Sequence, residues 1–199
     1  MSSEIDRRKF FSLAGSSLAT LGFTSQGGLP VKAPDSTSTD DVHRILALFS
    51  YNGGVYYFDP AGLYIDVGQT VEWVGVGRRA VTTYHPSIYN HELRIPESAA
   101  PFDSKSMGSG STFRWTFDVE GTYDYYSPPH EYLGMVGRVI VGKPGGPGEE
   151  SPGYGNRHGR AVMYRDAARV FEYLESDKIV TQKSIAYPMD LVRREFPWR

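Results

Sequence analysis

Residues Gly121 to Val141 constrain the fold more than any other stretch of this chain. They run Gly-Thr-Tyr-Asp-Tyr-Tyr-Ser-Pro-Pro-His-Glu-Tyr-Leu-Gly-Met-Val-Gly-Arg-Val-Ile-Val. The pattern is strand, tight loop, strand. On the first strand Tyr123, Tyr125 and Ser127 share one face and Asp124 and Tyr126 the other, because successive side chains alternate across a strand. Pro128, Pro129 and Gly134 force the loop, and Val136 to Val141 alternates again.

The preceding sequence repeats this style. Val42 to Ser50 predicts a buried strand, with Ile45, Ala47 and Phe49 on one face and Leu46 and Leu48 on the other. Turn signals at Asn52-Gly53-Gly54, Asp59-Pro60-Ala61-Gly62 and Gly68-Gln69 separate short strands at Val55–Phe58, Leu63–Val67 and Thr70–Val74. Ser87 to Ser106 is irregular. Ser111 to Phe117 alternates, with Phe113, Trp115 and Phe117 facing inward. Seven or eight short strands over about 100 residues predict an all-β, Greek-key β-sandwich.

The loop residues Ser127, His130 and Met135 stand where the copper-binding loop of the plastocyanin, halocyanin and amicyanin family of cupredoxins carries Cys, His and Met. Gly-Thr-Tyr-Asp-Tyr-Tyr before the loop and Gly-Met-Val-Gly-Arg after it resemble that family too. So does Thr82-Thr83-Tyr84-His85-Pro86, which is similar to the end of a His-x-x-Thr-x-Tyr-His-Pro run of archaeal plastocyanin-like proteins. In that register Arg79 takes the place of the fourth copper ligand, a His. Leu93-Arg94-Ile95-Pro96-Glu97 and Pro101-Phe102-Asp103-Ser104 resemble the same subfamily's insertion. The resemblance covers residues 42–142. It implies a cupredoxin fold, copper as cofactor, no enzymatic activity, and single-electron transfer with a membrane redox protein as partner.

Two of the four ligand positions hold side chains of the wrong chemistry. A blue-copper site needs a thiolate, two imidazoles and a weak axial thioether. A serine hydroxyl stays protonated at neutral pH and donates weakly. A guanidinium has five donors, no acceptor, and does not deprotonate in proteins. His130 and Met135 remain. The expectation is a degenerate, non-blue or copper-free site, in which the Arg79 guanidinium takes the metal's place, Ser127 and His130 accept its hydrogen bonds, and Glu131 supplies a counter-charge. An alternative keeps weak copper binding by His130, Met135 and His85, with His91 nearby. A third reading is a structural or surface-interaction domain. Taken alone, His85 reads as a turn histidine beside Pro86 and His91 as solvated. Tyr123, Tyr125, Tyr126 and Tyr132 read as core and collar, or as a partner patch or a hole-hopping path. His43 and His158 stand apart, and Met107 and Met163 read as packing.

Other chemistries lack support. No cysteine occurs, which excludes disulfides, thiolate nucleophiles and Cys-ligated metals. A net charge of −2 leaves no nucleic-acid footprint. No nucleophile elbow or phosphate loop marks an enzyme or a small-molecule substrate.

At the start, Asp6-Arg7-Arg8-Lys9-Phe10-Phe11 and the mild apolar run to Phe23 resemble a twin-arginine export signal. The run is too short to span a bilayer comfortably. Residues 1–33 are expected to be this signal, with Val31-Lys32-Ala33 resembling a cleavage site, and residues 34–41 a flexible stalk. The domain would then be extracytoplasmic, released or held by an uncleaved signal. Residues 143–156 read as a Pro/Gly linker. Residues 157–199 form an extension with a helix over Arg160–Ser176, where Met163, Ala167, Val170, Phe171 and Leu174 make one apolar stripe. Residues 41–142 carry 7 Lys/Arg against 11 Asp/Glu, and 157–199 carry 9 against 6. The stripe has to be buried, and opposite charge favours a tail resting on its own sandwich; the alternative is a partner-docking arm.

Overall fold

The computed structural model describes residues 42–51, 54–155 and 163–192. The expected signal and stalk, His158 and the start of the expected helix lie outside the described residues. Nine strands form two sheets: β1 (Val42–Ser50), β2 (Val55–Asp59), β3 (Gly62–Ile65), β4 (Thr70–Gly75), β5 (Thr82–Thr83), β6 (Thr112–Thr116), β7 (Gly121–Tyr126), β8 (Val136–Val141) and β9 (Ser184–Ile185). The first sheet has the order β2-β1-β4-β6 and the second β5-β7-β8-β3-β9. β1–β2 and β7–β8 are antiparallel neighbours, whereas β1 runs parallel to β4 and β3 parallel to β8, so the chain also crosses between the sheets. Among the described residues, no helix is long and apolar enough to cross a membrane.

The inner faces enclose a core centred on Trp73, which packs against Phe102, Phe117 and Tyr125. Ile45, Ala47, Phe58, Val71, Tyr123 and Val139 complete it. β1 is not buried on both faces as expected. Ile45 and Ala47 are buried, whereas Leu46 is exposed on the outer face. One-sided burial is the ordinary state of a sheet with one face on the core.

The second sheet is buried on both faces, and every residue of β7 and β8 is buried. Its outer face carries Tyr84, Tyr126, Val136 and Ile140, and the C-terminal segment covers them. Within the helix read over Arg160–Ser176 the described residues form α1 (Arg165–Tyr173), and two helices that the reading did not contain follow it, α2 (Ser176–Gln182) and a short α3 (Met189–Val192). The apolar stripe is buried against the sheet throughout. Between α2 and α3, β9 pairs with β3 and closes that sheet edge.

Residues 143–155 are not a free linker. The carbonyl of Gly148 accepts hydrogen bonds from Arg94 Nη2 (3.0 Å) and Arg138 Nη2 (2.9 Å). A Cβ on Gly148 would lie 2.7 Å from the Thr122 side chain, so glycine allows the strap its close approach. The two arginines converge on Asp124, which is fully buried: Arg94 Nε reaches Oδ2 at 2.7 Å, and Arg138 Nε reaches Oδ1 at 2.7 Å. Arg138 Nη1 also donates to Leu174 O at 2.9 Å. One buried carboxylate thus joins the insertion, the central strands, the strap and the tail.

Candidate metal centre

The loop after β7 closes through backbone bonds. Ser127 N–H donates to Met135 O (3.0 Å), His130 N–H to Ser127 O (2.8 Å), and Met135 N–H to His130 O (3.2 Å). Gly134 turns the chain in the left-handed region, φ 83°. Ser127, His130 and Met135 are thereby held on one small loop, Ser127 and Met135 fully buried and His130 half-buried. Ser127 Oγ lies 3.4 Å from His130 Nδ1. The amide of Ala80 donates to the same Oγ at 3.4 Å. The residue after Arg79 therefore touches Ser127.

Tyr56 of β2 connects His130 and Arg79. The His130 ring stacks on it at 3.9 Å with 12° between planes, and the Arg79 guanidinium carbon lies 4.8 Å from the ring centroid. Burial, and secondarily the charge of Arg79, lowers the His130 pKa to about 4, so its imidazole is neutral at pH 7. Arg79 is buried, at 7% exposure, and burial lowers its pKa as well. Its backbone pairs with Met107.

The hydrogen bonding expected of Arg79 is corrected here. Its Nη1 donates to Arg78 O at 2.7 Å, its Nε has no partner, and no hydrogen bond joins it to Ser127 or His130 among the described residues. Tyr56 claims the guanidinium face, so the side chain packs as a flat cation rather than pointing at the two acceptors. Glu131 is not its counter-charge either. The Glu131 carboxylate accepts from Tyr84 Oη at 2.8 Å and faces His91 Nε2 at 3.5 Å.

His91 is not solvated. It is 6% exposed and packs against Tyr84 and Tyr126, ring centroids 5.2 and 4.7 Å away. Burial pushes the Glu131 carboxyl up to about 7 and the His91 imidazole down to about 4, because each charged form loses water. His85 belongs to a local turn, its Nδ1 2.7 Å from Ser87 Oγ and accepting from Ser87 N–H at 3.1 Å. His43 bonds Gln69 (2.9 Å), and Met107 and Met163 are buried packing residues. Tyr123, Tyr125 and Tyr126 are buried core residues, while Tyr132 is exposed on the loop. Among the described residues, no group of three or more His, Cys, Asp or Glu side chains is placed to hold a metal ion.

The family profile of copper binding proteins, plastocyanin/azurin family, matches residues 47–142. Halocyanin of Natronomonas pharaonis is 36% identical over 108 residues, which cover 54% of this chain and 60% of that protein. Chloroplastic plastocyanin of Hordeum vulgare is 31% identical over 103 residues, covering 47% and 60%. The chain thus spans about 60% of the length of these curated relatives. The refined crystal structure of pseudoazurin from Methylobacterium extorquens AM1 superposes with a TM-score of 0.45 at 22% identity, over 71% of this chain and 98% of that one. The profile match, the halocyanin and plastocyanin similarities and the two-sheet architecture agree: the β-sandwich of this chain has the cupredoxin fold, and residues 47–142 are similar to the plastocyanin/azurin family of copper binding proteins.

Proposed function

We propose that this protein is an extracytoplasmic cupredoxin whose metal site is degenerate, copper-free or only weakly copper-binding, serving as an accessory module of a membrane redox system. The family's copper binding supplies the redox setting. The observation that carries the copper-free part is the Ala80 N–H on Ser127 Oγ. It supports a register in which a guanidinium and a hydroxyl stand at two ligand positions. A permanent cation repels a metal cation, and a neutral hydroxyl gives neither the covalency nor the negative charge that a thiolate gives copper. His130 and Met135 are left as donors, too few to enforce the trigonal geometry of a blue site. The resemblance of residues 1–33 to a twin-arginine signal supports the extracytoplasmic placement.

The test is to add Cu(II) and Cu(I) separately to the purified protein and to record visible absorption, electron paramagnetic resonance and metal stoichiometry. No tight stoichiometric copper and no intense visible band are expected. The double variant Ser127→Cys/Arg79→His is expected to bind one copper and turn blue. One tightly held copper in the unaltered chain, lost in His130→Ala, would instead establish the alternative set His130, Met135 and His85. A colourless, copper-free double variant would refute the assignment of positions 79 and 127.

A further inference from the structure

Arg79 differs from the other buried arginines of this protein. Arg94 Nε lies 2.7 Å from Asp124 and Arg94 Nη1 3.4 Å from Glu92. Arg138 Nε lies 2.7 Å from the same Asp124. Arg79 is 93% buried by its 7% exposure, yet no carboxylate comes within ion-pairing distance of it among the described residues. One of its donors, Nε, is buried without any partner. The Nη1 bond to Arg78 O and the Tyr56 ring offset part of the lost hydration, and the unpaired Nε and the missing counter-charge leave the rest uncompensated.

The surroundings favour a negative guest. The Tyr56 ring covers the guanidinium, and Gly77, whose Cβ would stand 3.4 Å from Nη1, lets the backbone lie against it. Ser127 Oγ accepts from the Ala80 amide and lies 3.4 Å from His130 Nδ1, so it offers nothing to Arg79 Nε. The one acid adjacent in sequence to the loop histidine, Glu131, is engaged by Tyr84 and His91. We infer that the mouth of this β-sandwich holds a small monovalent anion, a halide, nitrate or short carboxylate, bound by Arg79 Nε at the position where copper-binding relatives carry a ligand histidine. One uncompensated buried cation matches one negative charge. Divalent phosphate or sulfate would leave an excess negative charge to bury and is the poorer fit. The inference stands on the surroundings of Arg79 and holds whether or not copper binds elsewhere on the loop.

The experiment uses the full chain, treated with chelator, at pH 7 and constant ionic strength. Sodium gluconate is exchanged stepwise for sodium chloride, nitrate, formate or sulfate while thermal unfolding is followed. A ligand that binds only the folded state raises Tm with the logarithm of its concentration. The wild-type Tm, measured relative to Arg79→Met, is expected to rise with chloride, nitrate and formate and to change little with sulfate. The order of the first three separates inorganic ions from carboxylic acids as the natural source. The line width of ³⁵Cl resonance is expected to show excess broadening in wild type that nitrate removes. If Arg79→Met does not fold, Arg79→Lys keeps the charge without Nε and is expected to weaken chloride at least tenfold. Equal anion responses in wild type and the position-79 variant, or no response to any monovalent anion, would overturn the inference.

Discussion

Replacing Asp124 by Asn tests the network that locks the sandwich, strap and tail together. Asp124 is fully buried and receives three hydrogen bonds from guanidinium groups: Arg94 Nε at 2.7 Å, Arg138 Nε at 2.7 Å and Arg138 Nη2 at 3.0 Å. Asn has nearly the same shape, so it leaves no cavity. It removes the negative charge, and its amide presents N–H groups toward one of the two arginines, donor against donor. Removing one partner of a buried ion pair costs about 3–5 kcal/mol. Two guanidiniums share this carboxylate, so the upper part of that range is expected, softened by the remaining acceptors of Arg138 at Gly148 O and Leu174 O. A domain of this size has a total stability of about 5–15 kcal/mol. The variant should therefore fold only marginally. Urea unfolding followed by tryptophan fluorescence should show a much lower midpoint at an unchanged slope. Asp66→Asn, on the surface, is the control and should move the midpoint by less than about 0.5 kcal/mol equivalent. A loss below about 1 kcal/mol in Asp124→Asn would refute the reading that this carboxylate neutralises both arginines.

Three further outcomes follow from single contacts. The Glu131 carboxyl, raised to about 7 from its ordinary 4.5, favours folding fully below pH 4.5 and loses that contribution as pH rises through 7. The loss approaches about 3 kcal/mol. His91 and His130, held at about 4, act oppositely below 6.5, where the unfolded imidazoles take up protons. The stability of wild type minus that of Glu131→Gln, measured from pH 5 to 8, isolates the carboxyl and should fall across that window; a flat difference would contradict it. Gly137→Ala should be severely destabilising, because a Cβ there would lie 2.3 Å from the Tyr125 hydroxyl and 2.9 Å from Ala61 O; a melting temperature within a few degrees of wild type would show that Tyr125 can move. Tyr187→Phe removes the donor to Gly134 O (2.6 Å) and should cost about 1–3 kcal/mol for the carbonyl left unpaired. Amide exchange in the loop from Glu131 to Met135 should quicken more than in β1 or β4, and uniform quickening would assign the loss to the whole domain instead.

The strands of the inner core were legible because alternation is a local property. Tyr123 and Tyr125 point one way and Asp124 and Tyr126 the other, as their spacing requires. What faces the second side is not local. Val136, Ile140 and Tyr126 are covered by residues of α1 and α2 about forty positions further on, and β1 has no such cover. Arg94 gave no periodic signal because it lies in an irregular insertion, although it organises the buried network. Glu131 and His91 are likewise forty positions apart, so neither the burial of His91 nor the engagement of Glu131 could be read from its neighbours. The register of Arg79 is what the resemblance of Thr82-Thr83-Tyr84-His85-Pro86 implies, and the structure sets the Ala80 amide on Ser127 Oγ. The direction of the Arg79 side chain was not readable, because Tyr56 on β2 decides it.

Peptide groups and side chains from other elements hold the loop, and this bears on how its proposed ligand positions could change. Three backbone hydrogen bonds close Ser127 to Met135. Tyr84 ties Glu131 to the strap of chain beside β5, Tyr187 of the tail holds the Gly134 carbonyl, and Tyr56 stacks on the His130 ring. Where a metal crosslinks such a loop, exchanging a ligand removes binding free energy that is also folding free energy. Here the loop is fixed by peptide groups and by three tyrosines from outside it, Tyr56 and Tyr84 from the sandwich and Tyr187 from the C-terminal segment. A loop held in this way is expected to tolerate Ser at 127 and Arg at 79 without unfolding, as the proposed assignment of these positions requires. The tail therefore bears on the site as well as on the outer sheet: by holding Gly134 in place it separates the conformation of the mouth from whatever the mouth binds.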